Sequence, residues 1–159
     1  MKIRIISVGK IKESFYRDAI TEYTKRISKF AVFEITELAD EKTPDSASEA
    51  ENLKILEKEG ARILSAIKPN EYVICLALEG KKLDSLSFSR KIEQIALSGY
   101  SCIDFVIGGS LGLSDNVKKR GDFLLSFSDF TFPHQLMRVV LAEQIYRAFK
   151  IAHNEPYHK

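Results

Sequence analysis

The sequence predicts an α/β fold in which a mostly parallel sheet carries helices on both faces. Three observations support that prediction. Five short apolar runs, at residues 2–8, 32–38, 72–78, 102–107 and 123–127, alternate with stretches of helical spacing. The runs at 72–78 and 102–107 are apolar almost throughout, as expected of strands buried on both faces. Glycines and small polar residues gather just past the last two runs, where open α/β sheets hold their ligands.

Taken in order, Lys2 to Val8 is rich in Ile and Val and ends at Gly9, which suits a buried first strand. Between Phe15 and Phe30 the apolar residues Phe15, Tyr16, Ala19, Ile20, Tyr23, Ile27 and Phe30 keep helical spacing. Arg17, Lys25, Arg26 and Lys29 lie among the positions between them. Val32–Leu38 alternates apolar and acidic residues, the pattern of a strand near a sheet edge. Asp40–Ser48 is loop-like and leads into a helix capped near Ser46 or Ser48. Leu53, Leu56, Ile63, Leu64 and Ile67 mark that helix, and Pro69 stops it. Gly60 inside it signals either a bend or a close approach.

Tyr72–Leu78 reads as the central strand, and Glu79–Lys82 as a turn. Ser85–Leu97 forms a helix with Leu86, Ile92, Ile95 and Ala96 inward, closed by Gly99. A short helix around Asp115–Arg120 separates the last two strands. The final helix runs from Pro133 to about Ala152 and is apolar on two sides. Met137, Val140, Leu141, Ile145, Ala148, Phe149 and Ala152 face the sheet, while Leu136, Val139 and Tyr146 share the other side with Glu143, Arg147 and Lys150. A helix apolar on two sides needs two covers, and a second subunit supplies the outer one, so the chain is expected to be a homodimer. The alternative is packing under the chain's own loops.

Composition narrows the class. The 159 residues are 45% hydrophobic and 29% charged, as in a globular domain rather than a disordered chain, and they read as a single domain over residues 1–159. Cys75 and Cys102 each lie in an apolar run, which predicts buried free thiols in a cytoplasmic protein. No apolar stretch approaches the roughly 18 residues that a membrane span requires. Net charge is +2, but residues 1–30 are rich in Lys and Arg whereas residues 31–60 are rich in acids. The basic segment suits a polyanion such as RNA; two oppositely charged solvated helices would look the same.

Several chemistries are excluded by pattern. The string G-G-S-L-G is neither a dinucleotide fingerprint nor a P-loop. His134, His153 and His158 lack metal-ligand spacing, so no metal site is expected. Ser7, Ser110 and Ser126 have no accompanying triad motif. What remains is a site with few ionic anchors. Gly108, Gly109 and Gly112 permit close backbone approach and positive φ. The turn S-F-S-D-F-T-F-P interleaves backbone edges with three phenyl rings. Such a surface suits an adenosine-like group, with a glycine turn beside a Phe-rich core corner as the bland alternative.

Longer strings then carry a resemblance. F-V-I-G-G-S-x-G-L, L-S-F-S-x-F-T-F-P-H-Q-L-M-R-V-V-L-x-E-Q-I-Y-R-A and the ending Y-H-K resemble the ribosomal RNA large subunit methyltransferase H family of the SPOUT superfamily, as do the opening K-I-x-I-x-x-V-G-K and the D-E-K-x-P loop. The resemblance implies a C-terminal trefoil knot, a homodimer, and methyl transfer from S-adenosylmethionine to N3 of a pseudouridine in large-subunit rRNA on the assembled ribosome. It implies cofactor contacts from Leu76, Gly108, Phe127, Ser128, Asp129, Phe130, Thr131 and Phe132.

Such a transfer requires alignment of donor and acceptor and a path for the departing N3 proton. His134, Glu143 and His158 are candidate bases by type, with His134 and His158 taken as the catalytic pair. Arg147, Tyr157 and His158 are candidate RNA contacts, Tyr157 by stacking and Arg147 by phosphate binding. Glu143 and Arg147 would equally make an i,i+4 helix pair. A SPOUT enzyme acting on tRNA, or a ribosome-associated binding protein without catalysis, are the competing readings.

Overall fold

A computed structural model describes residues 1–159. Its strands are β1 (Lys2–Val8), β2 (Val32–Leu38), β3 (Tyr72–Lys82), β4 (Cys102–Ile107) and β5 (Phe123–Ser126). They alternate with α1 (Ser14–Ile27), α2 (Glu49–Ala66), α3 (Ser85–Leu97), α4 (Asp115–Arg120) and α5 (His134–Ala152). Every strand pairing is parallel, and the order is β2-β1-β4-β3-β5. The predicted α/β architecture is present, with a sheet that is wholly rather than mostly parallel.

Two helical layers cover the sheet. On one face α1, α3 and α5 bury Ile27, Phe88, Ile92, Ile95, Leu141 and Ile145 against Ile3, Ile5, Ile103 and Phe105. On the other, α2 and α4 bring Ile63 and Val117 onto Val8, Val73, Cys75 and Val106. The central strand is β4, all six of whose residues are buried, and not the expected β3. Val32–Leu38 forms the edge strand, as its alternating acids suggested.

Local chemistry explains the ends of elements. Ser48 caps α2 in a reciprocal box: its Oγ accepts from the Glu51 N–H at 3.2 Å, while the Ser48 N–H donates to Glu51 Oε2 at 2.7 Å. Gly60 is a close approach and not a bend. A Cβ there would lie 2.4 Å from Ser114 Oγ, so its absence lets α2 settle on α4. The expected turn at Glu79–Lys82 belongs instead to β3, which leaves β5 after Leu76 and rejoins it at Lys81 through a bulge. Four apolar residues expected inside are exposed, namely Phe15, Leu53, Leu78 and Leu86, and Ala96 is exposed with them. In α3 the inward phase is set by Phe88, Ile92 and Ile95, which turns Leu86 and Ala96 away.

Buried charge fastens the sheet at the amino ends of its strands. The Arg4 guanidinium grips Asp104 through two bonds, Nε to Oδ1 at 2.8 Å and Nη2 to Oδ2 at 2.9 Å, and reaches Glu71 Oε2 at 2.7 Å. Burial pushes the Asp104 carboxyl up, against the pull of Arg4. Both cysteines are buried and free, and burial pushes each thiol up to about 12. They are unreactive core residues. No helix is long and apolar enough to cross a membrane.

Candidate active site

At the carboxyl ends of β3, β4 and β5 the chain leaves the sheet in three different ways, and a cavity opens between them. After Ile107 the backbone turns tightly through Gly108–Gly112, closed by the Gly112 N–H donating to Gly109 O at 3.0 Å. After Ser126 it enters a serine turn in which the Phe130 N–H donates to Ser128 Oγ at 3.0 Å. Pro133 then starts α5. The β3 bulge at Ala77 and Leu78 supplies the third wall. The enclosed volume is about 370 Å³, the scale of a small-molecule site.

The three glycines of this loop differ in what they do. Only Gly112 takes positive φ, at 81°. A Cβ on Gly108 would fall 2.3 Å from Gly112 O, and one on Gly109 would fall 2.9 Å from Glu59 Oε2. The first two are therefore small because the protein itself crowds them, a correction to the expectation that all three serve ligand approach and positive φ. Gly112 borders the cavity, and a Cβ there would meet no protein atom within 4 Å. That free space, the glycine floor and the phenyl-lined turn suit a planar heterocycle with polar edges.

Most of the sequence-predicted cofactor residues meet here. Leu76, Gly108, Phe127, Ser128, Phe130, Thr131 and Phe132 all border the cavity, together with His134 and Met137. Asp129 does not; it is exposed and ion-paired with Lys82. Phe130 is 79% exposed and Leu78 67%, so the cavity mouth is a greasy rim. His134 stands at the first turn of α5. Partial burial and the neighbouring Arg138 charge hold its pKa below the usual histidine value, with Asp40 opposing, so the ring is neutral at physiological pH.

A second, larger cavity of about 530 Å³ adjoins the first, sharing Leu125, Ser126 and Phe127 with it. Asp84, Ser85, Gln144 and His158 supply its polar lining. The carboxy-terminal tail is folded back to reach it. Tyr157 Oη donates to Glu143 Oε1 at 3.0 Å, its ring meets Tyr146 edge-on at 4.9 Å, and the Arg147 guanidinium lies 4.6 Å from its centroid. Arg147 Nε donates to Glu143 Oε1 at 3.0 Å, which is the helix pair the spacing allowed. Burial and Glu143 push the Tyr157 hydroxyl up to about 12, so it is a donor. Arg147 and Tyr157 thus engage each other beside the cavity, while His158 alone of the tail lines it. Tyr146 is covered by Tyr23, Phe30 and Tyr157, so part of the second apolar side of α5 is packed under the chain itself.

Two functional-looking residues escaped sequence reasoning. Arg138 is fully buried in α5, where its Nη2 donates to Val8 O at 2.9 Å and Gly9 O at 3.0 Å and ties the end of β1 to the helix below His134. Glu59 is 4% exposed in the inner face of α2. The signal for Arg138 was its place in an apolar stripe; Glu59 sits one residue from Gly60, in a helix full of solvated acids.

Comparison with known proteins agrees with this geometry. Residues 1–158 match the family described as "Predicted SPOUT methyltransferase". The chain is 58% identical over 159 residues to a protein of Streptococcus thermophilus (strain CNRZ 1066) named "Ribosomal RNA large subunit methyltransferase H", covering all of both chains. It is likewise 58% identical, over the full length of both, to the protein of that name from Streptococcus pneumoniae (strain CGSP14). An all-parallel sheet with a glycine-floored cavity at its carboxyl edge, matched over its whole length by such relatives, belongs to the ribosomal RNA large subunit methyltransferase H family of SPOUT methyltransferases.

Proposed function

We propose that this protein is an S-adenosylmethionine-dependent methyltransferase that modifies N3 of a pseudouridine in large-subunit ribosomal RNA on the assembled ribosome, working in the cytoplasm as a homodimer. One observation carries the reading: a 370 Å³ cavity, floored by Gly108–Gly112 and walled by Phe127–Phe132, opens beside a histidine held neutral. The family relatives, named for methylation of ribosomal RNA, give the substrate class.

When bound, the donor supplies a methyl group already activated on a sulfonium. The protein's task is then to orient, exclude water and remove a proton. Leu76, Gly108 and the turn residues Phe127, Ser128, Phe130, Thr131 and Phe132 would hold the donor, while Asp129, which does not border the cavity, serves Lys82. The larger cavity suits the acceptor base, since it meets the first at Leu125–Phe127.

The two candidate histidines have different capacities. His158 Nδ1 faces Arg147 Nη1 at 3.3 Å, and a guanidinium only donates. Neutral His158 therefore carries its proton on Nε2 and offers a donor. His134 has no such partner and a lowered pKa, so a ring nitrogen can accept the N3 proton. We assign His134 as base and His158 as the donor that orients the acceptor. Arg147, the exposed Lys25 of α1 and the exposed Lys29 just after that helix suit phosphate contacts. Tyr157 would stack on a base only by leaving Tyr146. The exposed Leu78, Phe130 and Phe132 favour the dimer, which would cover the greasy rim.

The test is mass spectrometry of large-subunit rRNA from cells lacking the gene. Loss of one methyl mark on a pseudouridine, restored by purified protein and S-adenosylmethionine on whole ribosomes, is expected. An unchanged rRNA pattern would overturn the assignment, and loss of a tRNA mark would redirect it.

A further inference from the structure

Behind the cofactor cavity, where the chain leaves the adjacent strands β1 and β4 toward opposite ends of the sheet order, lies a small chamber of about 60 Å³. Gly9, Asp40, Glu41, Glu59, Gly109 and Ser110 wall it. Gly109, Ser110 and His134 border both spaces, so the two are neighbours across one loop. The Asp40–Ser48 loop is latched over it by Thr43 Oγ1 and Ser110 Oγ, 3.3 Å apart.

The nearby cations face other groups, although Arg138 keeps Nε and Nη1 without a hydrogen-bond partner. Arg62 and Lys58 pair with Glu41 at 3.2 and 3.8 Å. Arg138 serves the carbonyls of Val8 and Gly9 and faces Glu37 at 3.9 Å. Asp40 and Glu59 have no ion-pair partner. Glu59 is 96% buried, its Oε2 makes no hydrogen bond, and it is aimed at Gly109 on the chamber wall. Burial and the Asp40 charge push its carboxyl up, against Arg62. A buried carboxylate oxygen without a donor is costly and calls for an occupant that satisfies it.

An ammonium group has three donors and no acceptor, the complement of this acceptor-only pair. A water's share of liquid volume is about 30 Å³, so the chamber has room for one such head group and little more. The reactive sulfonium, by contrast, must stay in the open cavity with the acceptor. We propose that the chamber receives the α-ammonium of the donor's amino-acid arm, with Glu59 and Asp40 as its acceptors. The inference rests on the reading that the neighbouring 370 Å³ cavity takes S-adenosylmethionine, and it gives the Asp40–Ser48 loop a role as the chamber's cover.

Calorimetry on the full-length protein tests it with two ligands. S-adenosylhomocysteine carries the amino-acid arm; 5′-methylthioadenosine keeps the adenosine and thioether without it. For Glu59→Gln combined with Asp40→Asn, affinity for the first should fall about tenfold or more, while the second stays within about twofold of wild type. Asp40→Asn alone, at an exposed loop position, should show the same selective loss in smaller measure and leaves folding untouched. Unchanged binding of S-adenosylhomocysteine by the variants, or equal weakening of both ligands, overturns the proposal. Should the wild type bind neither ligand, the methyltransferase reading itself fails and takes the proposal with it.

Discussion

Gly108→Ala adds a single methyl group where the structure leaves no room for it. The new Cβ would lie 2.3 Å from Gly112 O, 2.5 Å from Gly112 C and 3.0 Å from Gly112 Cα. Ordinary contact begins near 3.4 Å, so the two ends of the loop must part by roughly 1 Å. The obstacle is backbone, so no rotamer change relieves it. Parting breaks the Gly112 N–H to Gly109 O bond of 3.0 Å, worth about 1 kcal/mol, and overpacking adds about 1–3 kcal/mol. Because this loop is the cavity floor, the same displacement should weaken S-adenosylmethionine binding by at least about tenfold and slow transfer by up to about a hundredfold. Isothermal titration, methyl transfer to ribosomes and urea unfolding measure the three effects. Gly99→Ala is the matched control: Gly99 has φ of 90° and no atom within 4 Å of its would-be Cβ. It should lose about 1–2 kcal/mol through backbone strain and keep full cofactor affinity. Normal affinity in Gly108→Ala, or equal loss in Gly99→Ala, would refute the placement of the site.

Other perturbations separate the remaining roles. Arg4→Met leaves Asp104 and Glu71 buried without their cation and should cost about 3–5 kcal/mol at pH 8. Asp104 already has a raised pKa, so the folded variant takes up a proton as pH falls; the loss should be smaller at pH 5, and equal loss at both values would contradict the account. His134→Ala should lower kcat about a hundredfold with little change in donor affinity. In wild type the rate should be flat through neutrality and fall on the acid side, with a midpoint below 6.5 because the folded-state pKa is lowered; a midpoint above neutrality would remove His134 as base. Deleting Tyr157–Lys159 should preserve donor binding and abolish transfer, and full activity on ribosomes would show the tail to be dispensable. For Glu59→Gln, a raised carboxyl pKa means that wild-type stability declines as pH rises through the carboxyl titration. The variant should therefore match wild type in acid and exceed it at pH 8, as read by thermal unfolding.

Legibility divided along a physical line. Strand and helix periods are local, so Val32–Leu38, Cys102–Ile107 and the helix ended by Pro69 could be read from spacing alone. The Glu79–Lys82 stretch was misread because G-K-K has turn chemistry, whereas what holds it in β3 is a partner strand more than 40 residues later in the chain. Gly80 fits that strand only because its missing Cβ would sit 2.7 Å from the backbone of Leu124 and Leu125. The same limit applied at the site. The phenyl turn and glycine loop are contiguous strings whose chemistry can be named from residue types. Glu59, Arg138 and the Asp40 loop become one polar neighbourhood only when β1 lies beside β4 and α5 crosses beneath them. Charges that look solvated in sequence, two residues apart in an acidic helix or inside an apolar stripe, acquire meaning from what buries them. Glu59 differs from Glu57 in nothing but helical phase, and that phase decides that one carboxylate meets water while the other is pressed against the glycine loop.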